Sequence, residues 1–600
     1  MAIPRPSVLP TAILAVVTGL WVWFCWRVGP PQGDFANYFT AASLWWEGAD
    51  LSRLYDFRFF NDQVARSGFG DRLAAFTVLT PPMALVAAPL VPLGAVGAAK
   101  AWWVGQCAMG WFLGIVTARS LDRPAWMGVA GLVLIGPALR SHLFQGQFHL
   151  PAVLALSGGF WAWRTNRDRL AGVFWGLAVG LKIHAWPLLV AMAIARKWRV
   201  AGWGLLTIIV GGGISICLLG WPLHAVWIRE VLPASGGGWF ADPWHPAFQS
   251  IRHLLRGAFM VHPGLNPNPS WSVPWLAPTL GVAQHTLVIG LTCMAAVAWR
   301  CKGALERQRI VSAAALAALA SGPLLASYHL VLILPPLAWA ADALWRNGHR
   351  IKPLAAIALA ILAGSAPFPT AWPDGWLIVF AVPRAWCLLS LWLLLLPWPR
   401  ELPTLRVCTG LMLCAGLGGS LGYASFTRTQ GALHADGAQA IDGPGFPLIA
   451  ADLMRTQDGS LWFAGIRGDR EGWAGNGWMG FRLKTGETSP EIVVSDTNRH
   501  VWAPQATGID TAEWTTGPNG GPDAGRRVPC LDGELGTMAA AGEQHIAWFD
   551  ADGTARQITQ TSGHHAYPVC DAANGDAIFL SDRGVGVRAL RLWRIPLDAG

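Results

Sequence analysis

Two ionisable residues stand out by where they fall in the chain. Asp34 follows the first long apolar run, in the stretch GDFANYFTAASLWWEGADLSRLYD from Gly33 to Asp56. It therefore sits a few residues outside the membrane face that such a run implies. Lys182 lies in the middle of Leu170 to Ala195, an apolar stretch that also holds His184 and Pro187. A carboxylate within hydrogen-bond reach of a hydroxyl can take its proton as it attacks, which is general-base chemistry. A lysine in apolar sequence is expensive, and a phosphate or carboxylate is its natural functional partner; the alternatives are a snorkelling side chain or a structural ion pair. Together with Arg and His in outer loops, this set suits transfer of a sugar from a polyprenyl phosphate. The acid deprotonates the acceptor hydroxyl, and cations stabilise the departing phosphate without a metal. A single displacement with one base inverts the anomeric centre. No tight Asp/Glu cluster calls for a metal, and no cofactor beyond the lipid-linked donor is expected.

The elements that must position these residues are membrane helices. Of 600 residues, 53% are hydrophobic and 13% charged, against about a quarter charged in soluble proteins. Long apolar runs recur, and the 36 Trp suit membrane–water interfaces. The net charge of +9 resides largely in short loops, where it orients helices, so nucleic acid is not implied. The first helix is expected from about Leu9 to Val28, retained rather than cleaved. Pro81 to Leu93 is broken by Pro81, Pro82, Pro89 and Pro92 and reads as a juxtamembrane or re-entrant piece. Apolar stretches then follow from residue 98 to residue 424. With the proline segment not crossing, the basic clusters at Arg119, Arg164, Arg196, Arg300, Arg346 and Arg400 all fall on one side, as the positive-inside rule requires. Leu170 to Ala195 is too long for one upright span and too short for two, and reads as a hairpin with Lys182 near its tip. The fold class is thus an all-α polytopic membrane protein of about 12–13 transmembrane helices over residues 1–425. The N-terminus is cytoplasmic, and the site faces the periplasm or cell exterior.

Two outer loops remain, Ser141 to His149 and Trp221 to Trp275. The second holds Asp242, His245, Gln249 and Arg252 among several Trp, and reads either as an interfacial anchor or as a lid over a substrate. The segment from Gly33 to Asp56 is aromatic and amphipathic, able to lie along the lipid surface, with Asp56 a local cap or ion-pair partner. Residues 426–600 differ in composition. Alternating runs such as SLWFAG, QHIAWFD and DAIFLSD between DG, NG and GD turns indicate a β-rich domain outside the membrane, propeller-like or a sandwich. Cys530 and Cys570 form a disulfide or remain two buried thiols.

In several places the chain resembles glycosyltransferase family 87. The resemblance rests on Gly33-Asp34-Phe35, Tyr38, Ala41-Ala42, Gly48 and Leu54-Tyr55-Asp56. It continues through Pro81-Pro82, Pro89-Leu90, Gly146-Gln147, Gly180-Leu181-Lys182, Gln249-Ser250 and Ser327-Tyr328-His329. It implies a GT-C enzyme of the polyprenyl-phosphate-mannose-dependent kind, located in the inner membrane. It also implies Asp34 as the base, Lys182 and His329 near the lipid phosphate, and Gln147 and Gln249 as polar liners, with Tyr38 in the first-loop signature. The implied partners are a lipid-linked sugar donor, a glycan or glycolipid acceptor and membrane lipids. His149, His184, Trp186 and Phe248 depart from the family pattern, so the sugar need not be mannose and the acceptor is open.

Two rivals differ in class. A lipid-pyrophosphate-dependent glycan ligase or polymerase needs paired arginines and a histidine in a large outer loop, which Arg252, His253 and Arg256 match in part. A transporter or flippase needs related halves with broken helices, and no such internal symmetry is visible.

Overall fold

The structure, a computed structural model, describes all residues except 1–7, 71–72, 77–78, 234–246, 262–265, 267, 367–374, 399–402, 427–436, 442–448, 467–477, 486, 488, 495–503, 507–511, 515–525, 541–542, 561–563, 587–588 and 598–600. Asp242 and His245 of the long outer loop lie outside the described residues.

Helices fill the first part: α1 Val8–Val28, α2 Phe35–Trp46, α3 Phe57–Val64, α4 Gly94–Ser120, α5 Ala125–Leu134, α6 Gly136–Gln145, α7 Leu150–Arg164, α8 Asp168–Leu181, α9 Trp186–Ile194 and α10 Trp198–Leu219. Further helices run over Ile251–Phe259, Leu276–Val297, Ala304–Ser321, Leu334–Arg346, Ile351–Ser365, Pro383–Leu395 and Thr404–Phe426. Among the described residues, six helical stretches are long and apolar enough to cross a membrane, and up to seven with the bent α5–α6 pair. Ile183–Ile194, Ile351–Ser365 and Pro383–Leu395 are apolar but short, below the roughly 20 residues of an upright span.

Proline and glycine explain where the structure breaks stretches that the sequence reading left whole. α5 and α6 meet at 75° because Gly136-Pro137 ends one helix and starts the next. α6 then continues to Gln145, so most of the expected outer loop at 141–149 is helical. The last part of the apolar run before residue 400 is likewise split into a short turn, Gly375–Ala381, and the helix Pro383–Leu395. The proline segment forms two short turns, Pro81–Leu85 and Ala88–Leu93, ahead of α4. These turns pack on α2, so α2 is not a strip lying on lipid: Phe35 to Leu44 are buried throughout. α8 and α10 approach backbone to backbone, since a Cβ on Gly172 or Gly176 would strike the carbonyl of Val200 or Gly204. Such small-residue seams are how helices pack closely where apolar burial gives no drive.

The strands are β1 Gln439–Ala440, β2 Ile449–Arg455, β3 Leu461–Ile466, β4 Met479–Leu483, β5 Glu491–Val494, β6 Pro504–Ala506, β7 Ala512–Trp514, β8 Val528–Cys530, β9 Gly533–Ala540, β10 Glu543–Phe549, β11 Ala555–Gln557, β12 His565–Asp571, β13 Asp576–Gly586 and β14 Ala589–Pro596. β2 to β5 and β8 to β11 are four-stranded antiparallel meanders, β6 pairs with β7, and β1 joins β12, β13 and β14 beside β14. Sequential four-stranded meanders of this kind are the blades of propellers. Cys530 and Cys570 are disulfide-bonded, tying β8 to β12.

The β-rich part docks on α3. Phe57 is buried among Ile449, Ala451, Ala464, Ile466 and Trp478, and the Arg58 guanidinium lies 4.5 Å over the Trp478 ring. Arg58 Nη2 pairs with Asp452 Oδ2 at 2.7 Å, and Arg58 Nε faces Asp62 Oδ1 at 3.8 Å. Two bulges aim the partners. Asp452 has φ +56° inside the register shift of β2 and β3, and Tyr567 has φ +53° inside that of β12 and β13. The Tyr567 hydroxyl donates to Asp452 Oδ1 at 3.3 Å. Bulges re-aim side chains in this way. Burial pushes the Asp62 carboxyl up to about 7, against the pull of Arg58 and with the push of Asp452 and Asp56.

Removing the shared cation leaves two buried carboxylates facing each other. Arg58→Met is expected to cost about 3–5 kcal/mol and to make the β-rich part protease-sensitive. The loss, read by thermal unfolding, should be larger at pH 8 than at pH 5, because below about 7 Asp62 is protonated and needs no cation.

Candidate functional site

The site is built where the loop after α1 presses on the turn after α6. Gln32 donates its backbone N–H to the Phe144 carbonyl at 2.8 Å. A Cβ at Gly33 would strike the Gln145 side chain, and one at Gly146 would come within 2.6 Å of Pro31 and 2.7 Å of Phe35. Gly146 also holds φ +72°, a left-handed conformation that glycine adopts at little cost. These two glycines let the backbones touch, which brings Gln147 onto Asp34.

Asp34 stands at the start of α2 and is half-buried. Its Oδ2 accepts from Gln147 Nε2, and its Oδ1 from Asn37 Nδ2 at 3.3 Å. Gln147 Oε1 in turn accepts from the Tyr38 hydroxyl at 3.0 Å. The Tyr38 ring stacks on Trp102 of α4, centroids 5.7 Å apart, and Trp102 Nε1 donates to the Gly146 carbonyl at 3.0 Å. The chain Trp102–Tyr38–Gln147–Asp34 thus fixes the carboxylate from three elements. Burial pushes the Asp34 carboxyl up to about 6, while the Gln147 hydrogen bond, the Lys182 charge and the Asn37 hydrogen bond pull it down.

Lys182 is the break between α8 and α9. Its backbone is extended at φ −146°, ψ 113°, a short turn Ile183–Ala185 follows, and Pro187 opens α9. Among the described residues no ion pair joins Lys182 to Asp34, although its charge acts on the carboxylate. Carboxylate and cation are therefore near but not neutralised by contact.

Four histidines gather beside them. His329 lies 5.1 Å from His149, 5.3 Å from His184 and 4.6 Å from Tyr328 between ring centroids. His142 lies 5.7 Å from His149. His329 Nδ1 accepts the Ala326 N–H at 3.0 Å, so in the neutral ring Nε2 carries the proton as a donor. His149 is fully buried, and neither of its ring nitrogens has a hydrogen-bond partner among the described residues. Of this group only His329 is expected at the site from the sequence, where His149 and His184 stand as departures from the family pattern. His142, His149 and His184 come from separate stretches that only the fold brings together.

Gln249 and Arg252 sit one layer out. Gln249 Oε1 accepts the Arg384 N–H at 3.1 Å. Ser250 caps the helix Ile251–Phe259, and its hydroxyl donates to the Pro323 carbonyl at 2.7 Å. Arg252 is buried, its stem against Gly281 of Leu276–Val297. Arg384, absent from the sequence reading, donates to the carbonyls of Ala363 (3.2 Å), Ala247 (2.9 Å), Leu325 (3.2 Å) and Ala366 (3.3 Å). An arginine opening an apolar helix was the available signal. Asp56 is local, as expected: it caps α3 through the Phe59 N–H at 3.1 Å and pairs with Arg53 at 3.3 Å.

The arrangement offers a carboxylate poised to take a proton, a separate cation, and neutral imidazole donors alongside. Among the described residues no group of three or more His, Cys, Asp or Glu is placed to hold a metal ion.

Residues 76–335 match the family model of glycosyltransferase family 87. The matched stretch carries Gln147, Lys182, Gln249, Arg252 and His329, and begins after Asp34 and Tyr38. No curated protein and no solved structure matches the chain.

Gly146→Ala tests the contact that seats Gln147 on Asp34. A methyl group there meets Pro31 and Phe35 and strains the left-handed turn, so a loss of about 1–3 kcal/mol is expected. It should appear as a lowered Tm of the detergent-solubilised protein.

Proposed function

We propose that the protein is a membrane glycosyltransferase that moves a sugar from a polyprenyl-phosphate donor to a hydroxyl of a lipid-linked or cell-envelope glycan, with inversion. The observation that carries this reading is the half-buried Asp34, held by Gln147 and Asn37 and raised to about 6 with the Lys182 charge nearby. The family match over 76–335 supports it. Asp34 takes the acceptor proton as the hydroxyl attacks the anomeric carbon. Lys182 and the Nε2 donor of His329 stabilise the charge gathering on the departing phosphate. Gln147 and Tyr38 orient Asp34, while Gln249 and Arg252 shape the outer wall.

The architecture belongs with this reading: a GT-C type helical domain of about 12–13 membrane passes, short helices included, in the inner membrane with the site on the extracytoplasmic side. The Cys530–Cys570 disulfide supports that side, because disulfides persist in oxidising compartments.

The test is turnover by the full chain reconstituted in lipid, offered a panel of polyprenyl-phosphate sugars and an envelope lipid extract. Wild type should release polyprenyl monophosphate, and Asp34→Asn should lose at least about a hundredfold. Normal turnover by folded Asp34→Asn would remove Asp34 from the role. Because the base acts ionised, kcat/KM should climb with pH and level off above about 6. A profile flat from pH 4.5 to 8 would contradict a titrating Asp34.

A further inference from the structure

The reading above leaves the sugar itself without a named wall, and the placement of Tyr328 supplies one. In an in-line displacement the attacking and leaving oxygens lie on opposite sides of the anomeric carbon. The sugar ring must therefore sit between the base and the groups that take the phosphate. Tyr328 borders that space on the histidine side. Its ring contacts His329 with centroids 4.6 Å apart and His149 with centroids 5.7 Å apart. It is also close enough to Asp34 and Tyr38 to feel their charges.

Three features set Tyr328 apart from its neighbours. It is half-buried, whereas His149 and Tyr38 are wholly enclosed. Among the described residues its hydroxyl makes no hydrogen bond, unlike that of Tyr38, which is committed to Gln147. Its backbone is pinned: the flanking Ser327 hydroxyl donates to Ser141 Oγ at 2.8 Å, and His329 Nδ1 holds the Ala326 N–H. A rigidly mounted, half-buried phenol with an uncommitted hydroxyl is suited to a polar, flat-sided ligand.

We infer that Tyr328 is a substrate-contacting residue of the sugar subsite, its ring lying along the pyranose or furanose and its hydroxyl bonded to a sugar hydroxyl. This rests on the donor reading above. It separates the labour of the site: Lys182 and His329 hold phosphate, while Tyr328 reads the sugar.

The measurement compares wild type with Tyr328→Phe, full chain, reconstituted in lipid. One assay uses whichever polyprenyl-phosphate hexose of the panel wild type turns over; the other uses bare polyprenyl monophosphate as a competitive inhibitor. The hydroxyl has no partner to strand among the described residues, so Tm should be unchanged. The expected result is a fall of about tenfold in kcat/KM for the sugar-loaded donor, the scale of one neutral hydrogen bond, with the inhibition constant of bare polyprenyl monophosphate moving less than about twofold. Unchanged kcat/KM overturns the inference. So does equal weakening of both lipids, which would assign Tyr328 to phosphate, or a lowered Tm, which would make it structural. Turnover of no donor by wild type overturns the donor reading itself, and this inference with it.

Discussion

A carboxylate that is to exchange a proton needs two conditions that oppose each other. It must be crowded enough to hold a proton near neutrality, and it must not be silenced by the nearest cation. Here the Gln147 amide reconciles them. It binds the Asp34 carboxylate directly, so the carboxylate is oriented by a neutral donor while Lys182 acts from a distance. The rest of the site follows from that bond. Gly33 and Gly146 exist to let it form, Tyr38 fixes which end of the amide faces Asp34, and Trp102 locks both from α4. The break of the α8–α9 hairpin then sets the separation between base and cation.

A second constraint acts further out. The helical part brings together stretches remote in sequence, and one buried guanidinium holds several of them. Arg384 binds carbonyls at residues 247, 325, 363 and 366, closing the loops behind Tyr328 and His329. The first outer segment is held differently. α3, ten residues beyond α2, is gripped by the β-rich part through Arg58, Asp452 and a buried aromatic patch. Burial of a shared cation between two acids is a demanding way to join two parts. It makes the join specific, because any slip of register leaves charges buried without partners.

Much of this was legible in the chain. The prolines after residue 80, the extended Lys182 between two short helices, the local cap at Asp56 and the hairpin-rich tail all follow from rules of local chemistry. The proximity of Gln147 to Asp34 could be reached only through resemblance, since 113 residues separate them. The histidine group was not legible, because His142, His149, His184 and His329 share no periodicity. Nor was the burial of α2. Its aromatic faces read equally well against lipid or against protein, and only the proline turns that cover it decide. Arg384 was not legible either, because the four carbonyls it binds come from stretches remote in sequence.

The pairing of β1 with β14 has a consequence for how the chain is made. Gln439 and Ala440, the first strand residues after the last apolar helix, bond to Arg594 and Trp593 near the end. The sheet β1-β14-β13-β12 therefore joins the first and the last described strands of the β-rich part. During synthesis that sheet cannot be completed until β14 has been made. The Arg58 pair on α3 is made by Asp452 in the bulge of β2, and Asp452 is held in turn by Tyr567 of β12, a strand of the sheet that β1 and β14 share. The Tyr567 support of Asp452, and through it the grip on α3, is thus among the later contacts to mature.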